Sequence, residues 1–408
     1  MKCLRRFTVL FVLLGIFLTT ETIKAQQIDG TSAAESENQE IQADEEALEK
    51  TKEDYLSILL EELELDEVDG YTKEELPERL SFENLVQAML ENEGEEFEPE
   101  ELVEYVLDLF FYALRTAKPM FIQILSVSLL FAMFGRVLIT RQSYVNDLGF
   151  FAVYTAIMML LLNTFLLVNE VVETGLTKML SFMTAFIPVY ATTLLVAGNG
   201  SSAGIFYELA FGLIYLLELA MKTVFVPGVH VFVLLQMMDH LFDESKLSRL
   251  AELIESGIRV ALKLALAGVV GLGVVQSLLA PAKDRLASSG VYQTLQSIPG
   301  IGNTFGAAGE ILVGCGIMIK NSVGTAALVI LVLLCATPAI SVACFHVMYR
   351  LVGALLQPFC DKRIGECVNG VGRGCALYLK IIVDAMLLFF ITISMISAST
   401  SYIYKGEL

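Results

Sequence analysis

The chain lacks the short motifs on which an energy-using or hydrolytic enzyme is built. It holds no G-x-x-x-x-G-K-[ST] loop to cradle phosphates, no H-E-x-x-H pair for zinc, and no carboxylate cluster at metal-ligand spacing. Histidine is scarce, with only His230, His240 and His346. Gly200-Ser201-Ser202-Ala203-Gly204 spells G-x-S-x-G, but that motif needs a strand-to-helix elbow and here it joins two apolar segments. A hydrolase pairing Ser202 with one of the histidines is therefore the remotest reading. The expectation is a chain that is not an enzyme and needs no cofactor and no metal.

Cysteine is also sparse and badly spaced for a scaffold. Cys3 lies in a signal-like start, Cys315, Cys335 and Cys344 lie in apolar runs, and Cys360, Cys367 and Cys375 share one short connection, so neither a disulfide framework nor a zinc site follows. Basic residues are nearly missing between Gln26 and Glu104, which hold 28 Asp and Glu against 4 Lys and Arg. That net of -24 leaves the rest of the chain at +5, against -19 overall. A segment so acidic repels phosphates, which excludes nucleic acid as its partner and favours a basic protein surface.

What is abundant is apolar surface: 55% of the 408 residues are hydrophobic and the mean hydropathy is +0.65. No soluble domain needs that much. About 20 apolar residues cross a bilayer as a helix, so the pattern predicts an all-α, polytopic membrane helical bundle of about 8 spans plus a candidate re-entrant element, with a small acidic helical region outside the cytoplasm.

Residues 1–25 carry Lys2, Arg5 and Arg6, then an apolar run from Phe7 to Leu18, then Ala25, the pattern of a cleavable signal peptide, with an uncleaved anchor as the alternative. Residues 26–54 form an acidic leader too poor in apolar residues to pack. Residues 55–118 form an acidic helical region: Leu56, Leu59, Leu60 and Leu63, then Leu85, Val86, Met89 and Leu90 after Ser81, fall at helical spacing. It closes with an interfacial helix from Glu98 to Lys118, whose apolar face is Leu102, Val106, Leu109, Phe110 and Ala113.

Residues 119–399 form the membrane domain, before a tail at 400–408. The segments drawn are Met120–Ile139, Leu148–Val168, Met179–Ala197, Ala203–Thr223, Val224–Phe242, Val260–Ala280, Val323–Ala343, Cys344–Pro358 and Leu377–Ala398. An amphipathic helix at Asp243–Arg259 and a glycine-rich connection at Lys283–Phe305 lie between them. Arg136 and Arg141 after the first span place that end in the cytoplasm and the acidic region outside.

Ionisable residues inside apolar runs are costly and tend to face a bundle interior or cavity. The candidates are Glu208, Glu218, Lys263, Glu310, Lys320, Arg350 and Asp384, with the polar carboxamide of Asn321 beside Lys320. They either form structural pairs, such as Lys263 or Lys320 with Glu208, Glu310 or Asp384, or line a solute passage. Helix breaks are expected at Pro188, Gly198, Gly200, Gly204, Pro299, Gly300, Gly302, Gly324, Pro338 and Pro358. Lys320-Asn321-Ser322-Val323-Gly324 is the main one, lying either at a membrane surface between two spans or in a re-entrant element lining a passage. Ile187-Pro188 to Gly204 and Ile298-Pro299 to Gly316 resemble the paired interrupted segments of inverted-repeat transporters.

The order of Phe186-Ile187-Pro188 with its Gly/Ser loop, Lys320-Asn321-Ser322-Val323-Gly324 and Leu356-Gln357-Pro358 before a last apolar helix resembles the stage III sporulation protein AE family of endospore-forming Firmicutes. The resemblance implies a subunit of the channel or export complex between mother cell and forespore, in the mother-cell membrane surrounding the forespore and needed for late forespore gene expression. It implies partners among the other stage III sporulation proteins of the membrane and intermembrane space, including a separate ATPase, with no nucleic acid and the solute unknown. The alternatives are an autonomous secondary transporter and a purely structural membrane anchor.

Overall fold

The computed structural model describes residues 56, 58, 65–70, 80–91, 99–137, 143–196, 201–239, 247–296, 302–359 and 362–401. The chain divides into two units, residues 1–58 and 59–408. The signal peptide and acidic leader lie outside the described residues, and the helices whose bounds are described all belong to the second unit. In order these are α1 (Leu65–Gly70), α2 (Phe82–Glu91), α3 (Pro99–Val137), α4 (Ser143–Val196), α5 (Ser201–Ala220), a π turn (Met221–Phe225), α6 (Val226–Asp239), α7 (Ser248–Gln296), α8 (Gly302–Leu356) and α9 (Lys362–Ser401). No strand occurs among the described residues.

Several expected interruptions are absent, and the nine drawn segments merge into six helical columns. Leu148–Val168 and Met179–Ala197 both lie in the 54-residue α4. The polar stretch between them continues the helix instead of ending it: the Asn169 amide donates to Glu173 at 3.1 Å and the Thr177 hydroxyl to the Glu173 carbonyl at 2.6 Å. Val323–Ala343 and Cys344–Pro358 both fall in or at the end of α8, which runs without a break through Lys320, Gly324 and Pro338. The re-entrant element is thus corrected to a continuous helix, and Pro188 likewise lies inside α4. Of the other expected breaks, Gly204 is inside α5, Gly302 opens α8 and Pro358 sits in the turn after it; Gly198, Gly200, Pro299 and Gly300 lie outside the described residues.

Four helical stretches among the described residues are long and apolar enough to cross a membrane, fewer than the eight expected: Phe151–Leu194, Ala210–Asp239, Cys315–Leu356 and Lys362–Ile396. At 1.5 Å per residue α4 and α8 are each roughly 80 Å long, well beyond a bilayer of about 40–45 Å with its headgroups, so both project from it.

The interfacial helix and first span are likewise one element, α3, which passes through Pro119. Proline costs the helix its bond to the carbonyl four residues back. Packing offsets that loss, because Ala113, Ala117, Phe121 and Ile124 form one buried stripe on both sides of it. Ala113 packs on Ala336, Ile340 and Cys344 of α8, and the Phe121 ring lies 5.0 Å from that of Tyr349. Phe110, placed on the buried face by spacing, is exposed. The amphipathic segment and the glycine-rich connection are also helical, at least from 248 to 296, forming the two ends of α7.

In the column from α5 to α6 the helix widens at Met221–Phe225, where the Val226 amide reaches back to the Met221 carbonyl. The cause is Pro227, which has no N–H to give and whose ring crowds the preceding turn.

Helix directions follow from residue pairs in contact. Thr164 with Tyr349, Gly175 with Pro338, and Tyr190 with Gly324 step up α4 as they step down α8, so the two are antiparallel. Gly353 with Asn369 and Gly372 with Tyr349 make α8 and α9 an antiparallel hairpin, and Gly370 with Gln236 and Gly374 with Val233 set α6 antiparallel to α9. Ala113 and Phe121 against α8 make α3 parallel to it. Val269 and Leu272 share a groove with Thr392 and Met395, which with Lys380 against Arg259 makes α7 parallel to α9. The six columns therefore alternate in direction.

That alternation gathers one set of connections at one end. The α3–α4, α6–α7 and α8–α9 connections have Arg136 and Arg141, Lys246 and Arg249, and Lys362 and Arg363 in or beside them, whereas residues 197–200 and 297–301 hold no basic residue. By the positive-inside rule the first set is expected on the cytoplasmic side. Reporter fusions active only outside the cytoplasm should give signal after Asp66 and after Ser401, and none at Arg141 or at Pro358. Signal at Arg141 would reverse the orientation.

Gly175 marks the crossing of α4 and α8: a β-carbon there would lie 2.6 Å from the Pro338 ring. The ring is rigid, so Gly175→Ala should destabilise the fold by about 1–3 kcal/mol, the usual cost of overpacking. Thermal unfolding of the purified protein in detergent checks it, and an unchanged midpoint would contradict the contact.

Candidate functional site

The small helices α1 and α2 lie on the membrane helices. Ser81 starts α2, its hydroxyl accepting from the Asn84 amide at 3.3 Å, and Asp69 of α1 accepts from the Phe82 amide at 2.6 Å. Phe82 is thereby held fully buried against α4, its ring 6.2 Å from both Phe182 and Phe186. Phe186 stacks on Tyr190 at 5.1 Å, and the Tyr190 ring edge lies against Gly324 of α8. Lys320 is one turn before Gly324, so it shares the α8 face that meets α4.

Lys320 is 0% exposed, so it is enclosed by neighbouring side chains and does not face outward. Asn321 is half-buried and Ser322 buried beside it. Glu218 of α5 is also 0% exposed, and neither carboxylate oxygen has a hydrogen-bond partner. Asp384 of α9 is buried, with the Lys380 ammonium one turn away at 3.7 Å. The Lys380 ammonium also donates to the Arg259 carbonyl of α7 at 3.4 Å. Lys263 and Arg350 are exposed side chains, and those of Glu208 and Glu310 lie outside the described residues. The expected constellation therefore does not gather as one cluster: Glu218, Lys320 and Asp384 are sealed inside, while Lys263 and Arg350 face outward.

Depth is readable from Cys335, which lies at the middle of the apolar stretch Cys315–Leu356. Its thiol reaches the Ile382 carbonyl of α9 at 3.9 Å and lies near the Glu218 carboxyl. Glu218 and the Lys380–Asp384 pair consequently lie near one level, at the middle of the bundle.

Sequence reasoning missed a second set of polar contacts that tie helices together. The hydroxyls of Thr164 and Tyr349 share a hydrogen bond at 2.6 Å, Tyr378 donates to Asn169 at 2.5 Å, and Tyr154 donates to the Met237 carbonyl at 2.6 Å. Arg373 donates to Gln236 at 2.5 Å, and the His346 ring is 2.7 Å from the Gly372 carbonyl. Tyrosines and threonines within apolar runs read as ordinary span residues, so no local signal singles them out. His230 packs its ring edge on Phe165 at 5.7 Å, so both described histidines are engaged away from the Ser202 segment; His240 and the Ser202 side chain lie outside the described residues.

Glycines set the closeness of these helices. Gly370, Gly372 and Gly374 of α9 admit Gln236, Tyr349 and Val233, as small residues do wherever membrane helices approach tightly. Cys367 and Cys375, expected in a short connection, are buried inside α9; five described cysteines are unbridged.

An all-helical bundle with four membrane-length apolar stretches and ionisable groups sealed at its middle defines a polytopic helical membrane protein. Residues 80–400, from the cap of α2 to the last turn of α9, match the family described as stage III sporulation protein AE, and the chain belongs to that family. It is 25% identical over 257 residues to the stage III sporulation protein AE of Bacillus subtilis (strain 168), across 63% of this chain and 64% of that relative. No solved structure matches.

Proposed function

We propose that the chain is a multi-pass membrane subunit of the channel or export complex that joins mother cell and forespore and that late forespore gene expression requires. It acts in the mother-cell membrane surrounding the forespore, beside other stage III sporulation proteins of the membrane and intermembrane space, one of them a separate ATPase. It contributes a platform or conduit and not a catalyst, and it needs neither a cofactor nor nucleic acid.

The observation that carries this reading is the family match, which spans every column from α2 to α9 and includes the buried Lys320 segment. The acidic stretch Gln26–Glu104 supports it, since net charge of that density suits a basic protein surface. The test is affinity capture of a tagged chain from detergent-solubilised membranes of sporulating cells. Recovery of the other stage III proteins together with an ATPase is expected; recovery of the chain alone, from cells that make those proteins, would leave a solitary transporter as the better reading.

A further inference from the structure

Glu218 is the ionisable side chain that nothing above employs. It sits on the buried stripe Phe211, Ile214, Glu218 and Met221 of α5 and the π turn, is 0% exposed, and offers two carboxylate oxygens without a hydrogen-bond partner. An isolated ionised carboxylate in such surroundings is so costly that it neutralises instead. Cation binding would be one route, but hard cations demand several oxygen ligands. Among the described residues no group of three or more His, Cys, Asp or Glu gathers anywhere. The remaining neutral form is the acid.

We propose that Glu218 is a proton-binding site at the middle of the membrane bundle, loaded when α5 is packed against α4 and α9 and emptied when the π turn lets that column move. The elements around α5 carry few competing groups. On α8 the neighbour is the Cys335 thiol; on α9 the charges are Lys380 and Asp384, which pair with each other. On α4 the contact is Tyr190, whose ring meets Phe211 at 6.1 Å. On α7, Lys263 points outward and Arg259 is paired with Glu255; on the π turn, Lys222 is half-exposed. None of these groups hydrogen-bonds the Glu218 carboxyl oxygens.

Two features supply the movement and the access. The π turn begins three residues after Glu218, with Pro227-Gly228 just beyond it, and such turns recur at functional sites where a helix must deform. One turn before Glu218, Ile214 lines a shallow apolar groove with Ala210, Leu213, Val269, Leu272, Thr392 and Met395.

The assignment does not rest on the sporulation role and is tested on the purified full chain in detergent. Glutamine has the shape of the protonated acid, so Glu218→Gln isolates the proton. From about pH 6 to about pH 9, where buried carboxyls titrate, the wild-type unfolding midpoint should fall while that of Glu218→Gln falls much less. The sign follows from the folded state holding a proton that the unfolded state releases. Equal slopes overturn the proposal. A second measurement needs no variant: dicyclohexylcarbodiimide, an apolar reagent for protonated carboxyls, should modify the Glu218 peptide at the lower pH and progressively less at the higher. Absence of that adduct at the lower pH, or an adduct that does not decline, overturns it equally.

Discussion

Gly374→Ala should leave little of the protein in the membrane. A β-carbon at this position would lie 2.2 Å from a methyl of Val233 and 3.3 Å from the Phe165 ring. Neither neighbour can yield. Val233 is β-branched and fully buried, and Phe165 is itself stacked on Tyr378 with ring centroids 5.3 Å apart. Overpacking a good core costs about 1–3 kcal/mol and occasionally more, and this contact is at the severe end. Tyr378 also bonds Asn169, so a shift of Phe165 loosens the α4–α9 contact as well. Immunoblots of membranes should show the variant at a small fraction of wild-type level. Val233→Ala in the same chain removes the opposing methyls and should restore most of it, because residues in contact couple. Wild-type abundance of the single variant would mean that α6 and α9 are farther apart than Gly374 indicates.

Lys320 is expected to separate folding from function. Lys320→Met keeps a long apolar stem and removes the charge; it should accumulate normally while a forespore-specific reporter falls severalfold. Lys320→Ala also removes the packing of a fully buried side chain, and truncating a large buried side chain costs about 2–5 kcal/mol, so that variant should lose abundance too. A wild-type reporter with Lys320→Met would end any role for the charge in the conduit. A fall in abundance with Lys320→Met would make the charge structural. Level and reporter are measured in the same strain so that the two effects are read together.

Lys320 also shows how far the sequence carries. Its placement inside an apolar run was plain from the letters, but its flanking glycines suggested a break. In the structure Gly324 serves another end: it makes room for the Tyr190 ring of α4. Pro338 deceived in the same way, since its ring fills the notch at Gly175 and the helix continues past it. A glycine or proline reads locally as a breaker, whereas its effect depends on what packs against it from a residue more than a hundred positions away. The i,i+4 pair of Glu255 with Arg259 was legible for the opposite reason, since both partners lie within one turn of the same helix.

The sequence by itself determined that this is a helical chain with membrane-length apolar stretches, an acidic N-terminal region and basic residues after the first span. Transfer from water is a sum over residues, and a sum can be read in order along the chain. The tertiary structure decided how many helical columns those stretches make, and that Glu218 and Lys320 are sealed while Lys263 and Arg350 are not. Helix continuity and burial are set by side chains meeting across helices, and that meeting depends on the register in which α4, α8 and α9 pack, which no window along one helix contains.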